Sequence, residues 1–252
     1  MRTAVRVTRL LMGMPITVDV TGSGNDAATV EAAFAYFDAV DRRFSTYRDD
    51  SEIAAINRGY LGEKDYSSEM REVLALADKT RRETYGYFDI RTAACTLDPS
   101  GIVKGWAIRN AAALVARSGA RDYFVDAGGD IQAAGRNADG NEWRVGIRNP
   151  FDQAEIIKVI EPRGKGVATS GTSIRGQHIY DPHARGTTID DIVALTVIGA
   201  DVLEADRFAT AAFAMGRAGI GFIQQTPDLE GYVVDRDGRA TLTSGFAGYC
   251  AS

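Results

Sequence analysis

Hydrophobic residues in the first half of the chain recur every three or four positions, the spacing of an amphipathic helix. The pattern is strongest in residues 26–46, where Val30, Phe34 and Phe37 fall on one face. Three further helices are predicted in this half: Glu52 to Asn57 behind a capping Ser51, a segment that starts at Ser68, and Lys104–Arg117. These four predicted helices therefore account for much of the first half of the chain.

Apolar runs with strand character lie before and after these helices. Residues 4–20 form two such runs around a turn at Gly13. Six more are predicted in the order Tyr123–Asp126, Ile131–Ala134, Trp143–Ile147, Ile156–Ile160, Gly166–Thr169 and Val193–Ile198, and a final hairpin turns at Asp237-Gly238. Because helices and strands do not alternate regularly, the pattern predicts an α+β fold in a single domain, residues 1–252, rather than a doubly wound sheet.

A helix near the C-terminus, Leu203 to Gly216, carries a carboxylate and a hydroxyl one turn apart. These are Asp206 and Thr210, and by angle they lie opposite the apolar face that Phe208 and its neighbours form. Paired hard oxygen ligands suit Mg²⁺. On spacing alone, a solvated polar face is the simpler interpretation of the same pair.

A run of small residues, Asp98-Pro99-Ser100-Gly101, leads into the predicted helix that carries Lys104. Free backbone N–H groups at a helix N-terminus, together with a lysine, suit a phosphate. The helix dipole disfavours a cation in the first turn unless an anion compensates it. This favours a functional Lys104 over an ordinary surface lysine.

Three shorter motifs carry polar chemistry, and each also has a plain structural interpretation. Gly128-Gly129 either brings the backbone close to a ligand or turns a hairpin. The stretch around Thr169 and Ser170 either donates hydrogen bonds to a phosphate or a flavin ring, or is an exposed polar loop. His178 is either a general base near neutral pH or a partly exposed structural histidine.

Composition excludes several classes of function. The chain has 29 basic and 34 acidic residues, so nothing in its charge favours nucleic acid or an anionic membrane as a partner. Its two cysteines, Cys95 and Cys250, do not indicate a disulfide framework. No apolar stretch is long enough to span a bilayer, and arginines near the N-terminus replace a signal core. These features predict a cytoplasmic protein.

Short motifs follow one another along nearly the whole chain. They are Met12-Gly13-Met14-Pro15, Phe44-Ser45-Thr46-Tyr47, Ser51-Glu52-Ile53 with Asn57, Gly86-Tyr87-Phe88-Asp89, Asp98 to Ala107, Gly128-Gly129-Asp130, Thr169-Ser170-Gly171, His178 to Pro182, and Ala205 to Ala211. In this order they resemble the FAD:protein FMN transferase family, also called the ApbE family. The resemblance implies an α+β fold with two related T-fold-like lobes, whose mixed, largely antiparallel sheets are flanked by helices, with the FAD site between them.

The resemblance also implies an activity and a set of residue roles. A Mg²⁺-dependent enzyme cleaves FAD at its pyrophosphate, transfers FMN to a threonine or serine hydroxyl of a target flavoprotein, and releases AMP. Asp206, Thr210 and the main-chain carbonyl of Gly101 would hold Mg²⁺. His178 would act as the base, and Lys104 would help to neutralise charge. FAD contacts are assigned to Met12, Tyr47, Tyr87, Phe88, Asp89, Asp98, Lys104, Gly128, Gly129, Thr169 and Ser170.

The chain departs from the family's pattern in the segment Ile90–Leu97, which replaces several dozen residues. One wall of the cleft is therefore expected to be trimmed or supplied by a partner. Two alternatives stay open: an FAD pyrophosphatase, in which water replaces the protein hydroxyl, and a flavin-binding protein without turnover. The family's acceptor motif, Asp-x-x-(Ser/Thr)-Gly-(Ala/Ser)-Thr, would lie on another chain.

Overall fold

An antiparallel sheet organises the fold in the computed structural model, which describes residues 3–22, 24, 26–92, 94–172, 179–184 and 188–251. The strands in the described part are β1 (Ala4–Leu11), β2 (Met14–Thr21), β3 (Asp122–Ala127), β4 (Asp130–Ala134), β5 (Val145–Arg148), β6 (Ile156–Ile160), β7 (Gly166–Gly171), β8 (Ile192–Gly199), β9 (Glu230–Asp235) and β10 (Ala240–Leu242). Eight of them form one sheet in the order β1-β2-β3-β4-β7-β8-β9-β10, and β5 pairs with β6 in a separate hairpin. The predicted strands are thus confirmed.

The described helices are α1 (Asp26–Phe44), α2 (Glu52–Asn57), α3 (Ser68–Glu83), α4 (Ser100–Arg117), α5 (Val202–Ala214) and α6 (Gly219–Gln225). Ser51 caps α2 as predicted, since its Oγ accepts the Ala54 N–H at 3.1 Å. One boundary was wrong: α4 begins at Ser100 rather than Lys104, so Gly101 already lies inside the helix. Each helix that the structure describes is too short or too polar to cross a bilayer.

Helices cover one face of the sheet in two groups. Helices α1 and α4 pack on β1 to β4, where Val18 and Val125 are fully buried, and α5 and α6 pack on β7 to β9 around Leu195 and Val197. The β5–β6 hairpin and the C-terminal segment cover the opposite face. The predicted α+β fold, with largely antiparallel strands and helix-flanked lobes, is confirmed, and the lobes share one continuous sheet.

Helices α4 and α5, one from each group, approach each other closely at Gly105. A Cβ atom built at Gly105 would lie 2.8 Å from the Asp206 Cβ and 3.0 Å from the Leu203 Cα. The Gly105 N–H also donates a hydrogen bond to Asp206 Oδ2 at 2.8 Å. Glycine is required here because any side chain would force the two helices apart.

We expect Gly105→Ala to destabilise the fold by about 1–3 kcal/mol, the usual cost of overpacking a tight contact. Urea unfolding followed by circular dichroism measures the change in the free energy of unfolding. The matched control is Gly221→Ala in α6, where an added Cβ would meet no atom within 4 Å. That variant should be unchanged or slightly more stable, because alanine favours the helix. Equal unfolding midpoints for Gly105→Ala and the parent would contradict the close contact.

Candidate functional site

A cavity of about 850 Å³ lies at the end of the sheet where β3 turns into β4. Twelve of the residues assigned from the sequence line it: Tyr87, Phe88, Asp89, Asp98, Gly101, Lys104, Gly128, Gly129, Thr169, Ser170, Asp206 and Thr210. They come from both groups of helices and strands. A volume of this size is typical of a small-molecule or cofactor site.

Three assigned residues are not among those that line the cavity. Met12 has a positive φ of 52° in the β1–β2 turn and packs on the core around α1 and α4, while its neighbours Gly13 and Met14 line the cavity. Tyr47 follows α1, and its side chain is 99% exposed. His178 lies outside the described residues. The roles assigned to these three residues, like those of the twelve that line the cavity, remain predictions.

Lys104 lies between two buried carboxylates. Its Nζ is 2.5 Å from Asp130 Oδ2 and 3.5 Å from Asp206 Oδ1, and the two aspartates are only 1% and 2% exposed. The sequence predicted that an anion must compensate this cation near a helix N-terminus, and suggested a phosphate. In the structure, the protein's own carboxylates provide that compensation.

The second oxygen of each carboxylate is held by a backbone N–H group. Asp130 Oδ1 accepts the Thr169 N–H at 3.0 Å, and Asp206 Oδ2 accepts the Gly105 N–H at 2.8 Å. Both carboxylates are therefore fixed by rigid elements, with their remaining oxygens directed at Lys104. This arrangement links α4, α5, β4 and β7 at one point.

Asp206 is buried, so the interpretation of its helix face as solvated is wrong. Helix α5 has the sheet on one side and α4 on the other, and α4 covers the Asp206 face. Burial raises the pKa of the Asp206 carboxyl to about 7 in spite of the Lys104 ammonium, and the Asp130 charge adds to the rise. A carboxylate kept ionised here needs additional positive charge.

The oxygen donors predicted for Mg²⁺ lie at the same end of the cavity. A Cβ built at Gly101 would be 3.5 Å from Thr210 Cγ2, so the first turn of α4 lies beside Thr210, one turn from Asp206. An α-helix would direct the Gly105 N–H to the Gly101 carbonyl, but here Asp206 competes for that donor. The carbonyl thus keeps a lone pair for a cation. The set fits a hard divalent ion, with water or substrate oxygens completing its shell.

Only one carboxylate belongs to this predicted ligand set. The described part of the chain contains no cluster of three or more histidine, cysteine, aspartate or glutamate side chains placed to hold a metal. A site built from one carboxylate, one hydroxyl and one carbonyl suits Mg²⁺, which usually keeps several waters or substrate phosphates in its shell.

The double glycine turns a hairpin, and its position also permits the predicted approach to a ligand. Gly128 and Gly129 turn β3 into β4 with φ angles of +63° and +96°, which side chains rarely adopt. Gly129 also faces open space, since a Cβ there would meet no atom within 4 Å, and both glycines line the cavity. Their backbone can therefore approach a ligand directly.

The short segment Ile90–Leu97 still supplies a wall of the cavity. Arg91 and Leu97 pair as an isolated bridge, and the Asn57 side chain bonds both backbone groups of Leu97, at 2.9 and 2.8 Å. Ile90 and Thr92 line the cavity. The two ends of the shortened connection are thus paired with each other, and Leu97 is anchored by α2.

Sequence reasoning missed several residues of the site. Asp130 was noted only as part of a motif, although its place directly after Gly128-Gly129 was a usable signal. The β5–β6 hairpin contributes Arg148 and Asn149 to the lining, which no sequence pattern indicated. His183 is exposed as predicted, yet its ring packs on Tyr87 with centroids 4.7 Å apart.

Comparison with known proteins identifies the same family as the motifs do. The family model described as "ApbE family" matches residues 12–96 and 91–233. The FAD:protein FMN transferase of Vibrio cholerae is 34% identical over 129 residues, which cover 48% of this chain and 39% of that protein. The match thus spans less than half of that relative's length.

Two solved structures share the fold over nearly the whole chain. The flavin transferase ApbE from Vibrio cholerae has a TM-score of 0.87 at 22% identity, covering 99% of this chain and all of that one. The Pseudomonas stutzeri flavinyl transferase ApbE, apo form, has a TM-score of 0.85 at 25% identity, covering 98% and 97%. Both agree with the shared sheet and the flanking helices described above.

Proposed function

We propose that this chain, which belongs to the ApbE family, is a magnesium-dependent FAD:protein FMN transferase. It cleaves FAD at the pyrophosphate, attaches FMN through a phosphoester to a threonine or serine of a target flavoprotein, and releases AMP. The observation that carries the proposal is that Lys104, Asp206 and Thr210 meet the Gly128-Gly129 backbone in one cavity. Relatives named for this activity support it.

The reaction is a phosphoryl-type transfer between two oxygens. The acceptor hydroxyl oxygen bonds to the phosphorus on the FMN side, and the bond from that phosphorus to the bridging oxygen breaks. AMP leaves with the bridging oxygen, and the hydroxyl proton passes to a base, for which His178 is the candidate. Such reactions depend on charge neutralisation and positioning more than on covalent help from the protein.

The charges of the cavity favour a divalent cation as part of this site. With both carboxylates ionised, Asp130, Asp206 and Lys104 together carry one negative charge, which repels the pyrophosphate of FAD. Bound Mg²⁺ would supply the positive charge that a pyrophosphate and its transition state require. Asp206, Thr210 and the Gly101 carbonyl would hold it, and the Gly128-Gly129 backbone would approach the phosphates.

Other residues of the chain bind and orient the flavin nucleotide. Phe88 is 3% exposed and forms an apolar wall beside Gly101, since a Cβ at Gly101 would lie 3.3 Å from its ring. Tyr87 is fixed at the rim by the ring of His183, whose Nε2 lies 3.0 Å from the Tyr85 carbonyl oxygen. These side chains exclude water from one side of the cavity.

The test is AMP release from FAD, measured by chromatography with and without an acceptor domain that carries the family's acceptor motif. We expect AMP only when the acceptor is present, in amounts equal to the protein-bound flavin, and none after EDTA treatment. AMP release at the same rate without the acceptor would instead make the chain an FAD pyrophosphatase. FAD binding with no AMP in either case would make it a flavin carrier.

A further inference from the structure

Asp130 is a buried carboxylate in the site that the predicted magnesium ligand set does not include. It is 1% exposed, on the first residue of β4, and its Oδ1 is tied to the Thr169 N–H at 3.0 Å. Its Oδ2 forms the 2.5 Å ion pair with Lys104. Burying charged groups is costly even when they form an ion pair, because they lose their hydration. The pair of the buried Asp130 with Lys104 therefore needs an explanation.

The ammonium of Lys104 is shared unequally between the two carboxylates. It lies 2.5 Å from Asp130 Oδ2 but 3.5 Å from Asp206 Oδ1. The other oxygen of Asp206 is already occupied by the Gly105 N–H. Asp206 Oδ1 is thus the oxygen left for a cation, and Lys104 is its nearest competitor for that place.

We propose that Asp130 is a positioning residue that holds the Lys104 ammonium away from Asp206, so that Asp206 Oδ1 stays available to a divalent cation. Without the Asp130 charge, Lys104 loses its shorter ion pair, and the ammonium can shorten its 3.5 Å contact with Asp206 Oδ1. The lysine then occupies the place of the metal. This inference rests on the magnesium site of the proposed function, and it concerns metal binding rather than transfer.

The experiment measures the affinity of the purified chain for Mn²⁺ alone, by electron paramagnetic resonance without flavin or acceptor. Asp130→Asn keeps an oxygen for the Thr169 N–H but loses the charge, and we expect its Mn²⁺ affinity to fall about 10- to 100-fold, as for other residues that orient a metal ligand. Adding Lys104→Met to Asp130→Asn removes the competitor, so the affinity of the double variant should return close to that of wild type. Lys104→Met alone should bind at least as tightly as wild type.

Asp126→Asn is the matched control for a general effect of charge. Asp126 lies on the neighbouring strand β3, where its register partner is Ile131 and its carboxylate accepts the Gly129 N–H at 2.8 Å. Asp126→Asn removes one negative charge on the strand next to β4, and we expect a much smaller loss of Mn²⁺ affinity than in Asp130→Asn. Circular dichroism verifies that each variant is folded.

Several results would overturn the inference. One is wild-type affinity in Asp130→Asn, and another is a double variant that stays as weak as Asp130→Asn. Equal losses of Mn²⁺ affinity in Asp126→Asn and Asp130→Asn would show that Asp130 acts only through the general effect of its charge. Should Asp130→Asn not fold, weaker Mn²⁺ binding by Lys104→Met than by wild type contradicts the competition on its own. A wild-type chain that binds no Mn²⁺ overturns the metal site and this inference, whereas the AMP assay decides separately whether FMN transfer stands.

Discussion

Replacing Asp206 by asparagine is expected to lower magnesium-dependent FMN transfer by roughly two to three orders of magnitude, the usual loss when a group that stabilises transition-state charge is removed. Asparagine keeps an oxygen acceptor for the Gly105 N–H at 2.8 Å and has nearly the same volume, so the fold should survive. The neutral amide oxygen is a much weaker Mg²⁺ ligand than a carboxylate. The measurement is kcat/KM for flavin attachment, together with Mg²⁺ titration by calorimetry.

The choice of asparagine follows from the burial of Asp206. Asp206→Ala would remove the hydrogen bond from the Gly105 N–H and the ion pair with Lys104 together, so lost activity in that variant could reflect lost stability. Thr210→Val is the milder companion, because it removes only a neutral oxygen. An Asp206→Asn enzyme with full magnesium-dependent activity would show that Asp206 is not a metal ligand.

The same variant has a pH signature. Since burial raises the pKa of Asp206 to about 7, the carboxyl of the metal-free protein is protonated at acidic pH and loses its proton as the pH rises through neutrality. Only the ionised form binds a cation, so Mg²⁺ affinity of the wild type should increase between roughly pH 6 and 8. Asp206→Asn should remove this increase.

Replacing His178 by alanine is expected to slow FMN transfer by roughly two to four orders of magnitude, the contribution typical of a general base. The acceptor hydroxyl must lose its proton as its oxygen bonds to phosphorus, and an imidazole with an ordinary pKa near 6.5 is suited to that at neutral pH. FAD affinity should change far less, because the base serves the acceptor. The measurement is the single-turnover rate of flavin attachment, beside an FAD titration.

His183→Ala is the matched control for His178→Ala. His183 is exposed, and its ring packs on Tyr87 at the rim of the cavity. Its loss should leave the rate of transfer nearly unchanged and weaken FAD binding slightly. A wild-type rate in His178→Ala would exclude the base, and a His178→Ala enzyme that only lost FAD affinity would make His178 a binding residue.

The elements of this fold were predictable where the hydrophobic period was unambiguous. Val30, Phe34 and Phe37 are all buried on α1, as their spacing predicted, and the hairpin turned at Asp237-Gly238 joins β9 to β10. Local chemistry also placed helix starts, because Ser51 caps α2 through its own side chain. These features depend on neighbours in the sequence, which is why a single sequence reveals them.

What the sequence could not provide was the contact between distant elements. On spacing alone, the face of α5 with Asp206 looked solvated, because its polar residues face away from the Phe208 side. The start of α4 was placed at Lys104 because nothing local shows that Gly101 is helical. The first of these corrections depends on the packing of α4 against α5, which buries Asp206 and brings it to Gly105. The role of Asp130 became visible only when β4 and α4 were placed together.

The pairing of β4 with β7, which joins the two halves of the sheet, also determines when the site can form during protein synthesis. Only Ile131 with Val167 and Gln132 with Gly166 are paired across it, and it joins strands β1 to β4, all before residue 135, to strands that follow residue 165. The ribosome makes the chain from its N-terminus, so β1 to β4 are complete before β7 to β10 exist. Lys104 and Asp130 are therefore made before Asp206 and Thr210, so the newly made chain acquires two of its three proposed metal ligands last.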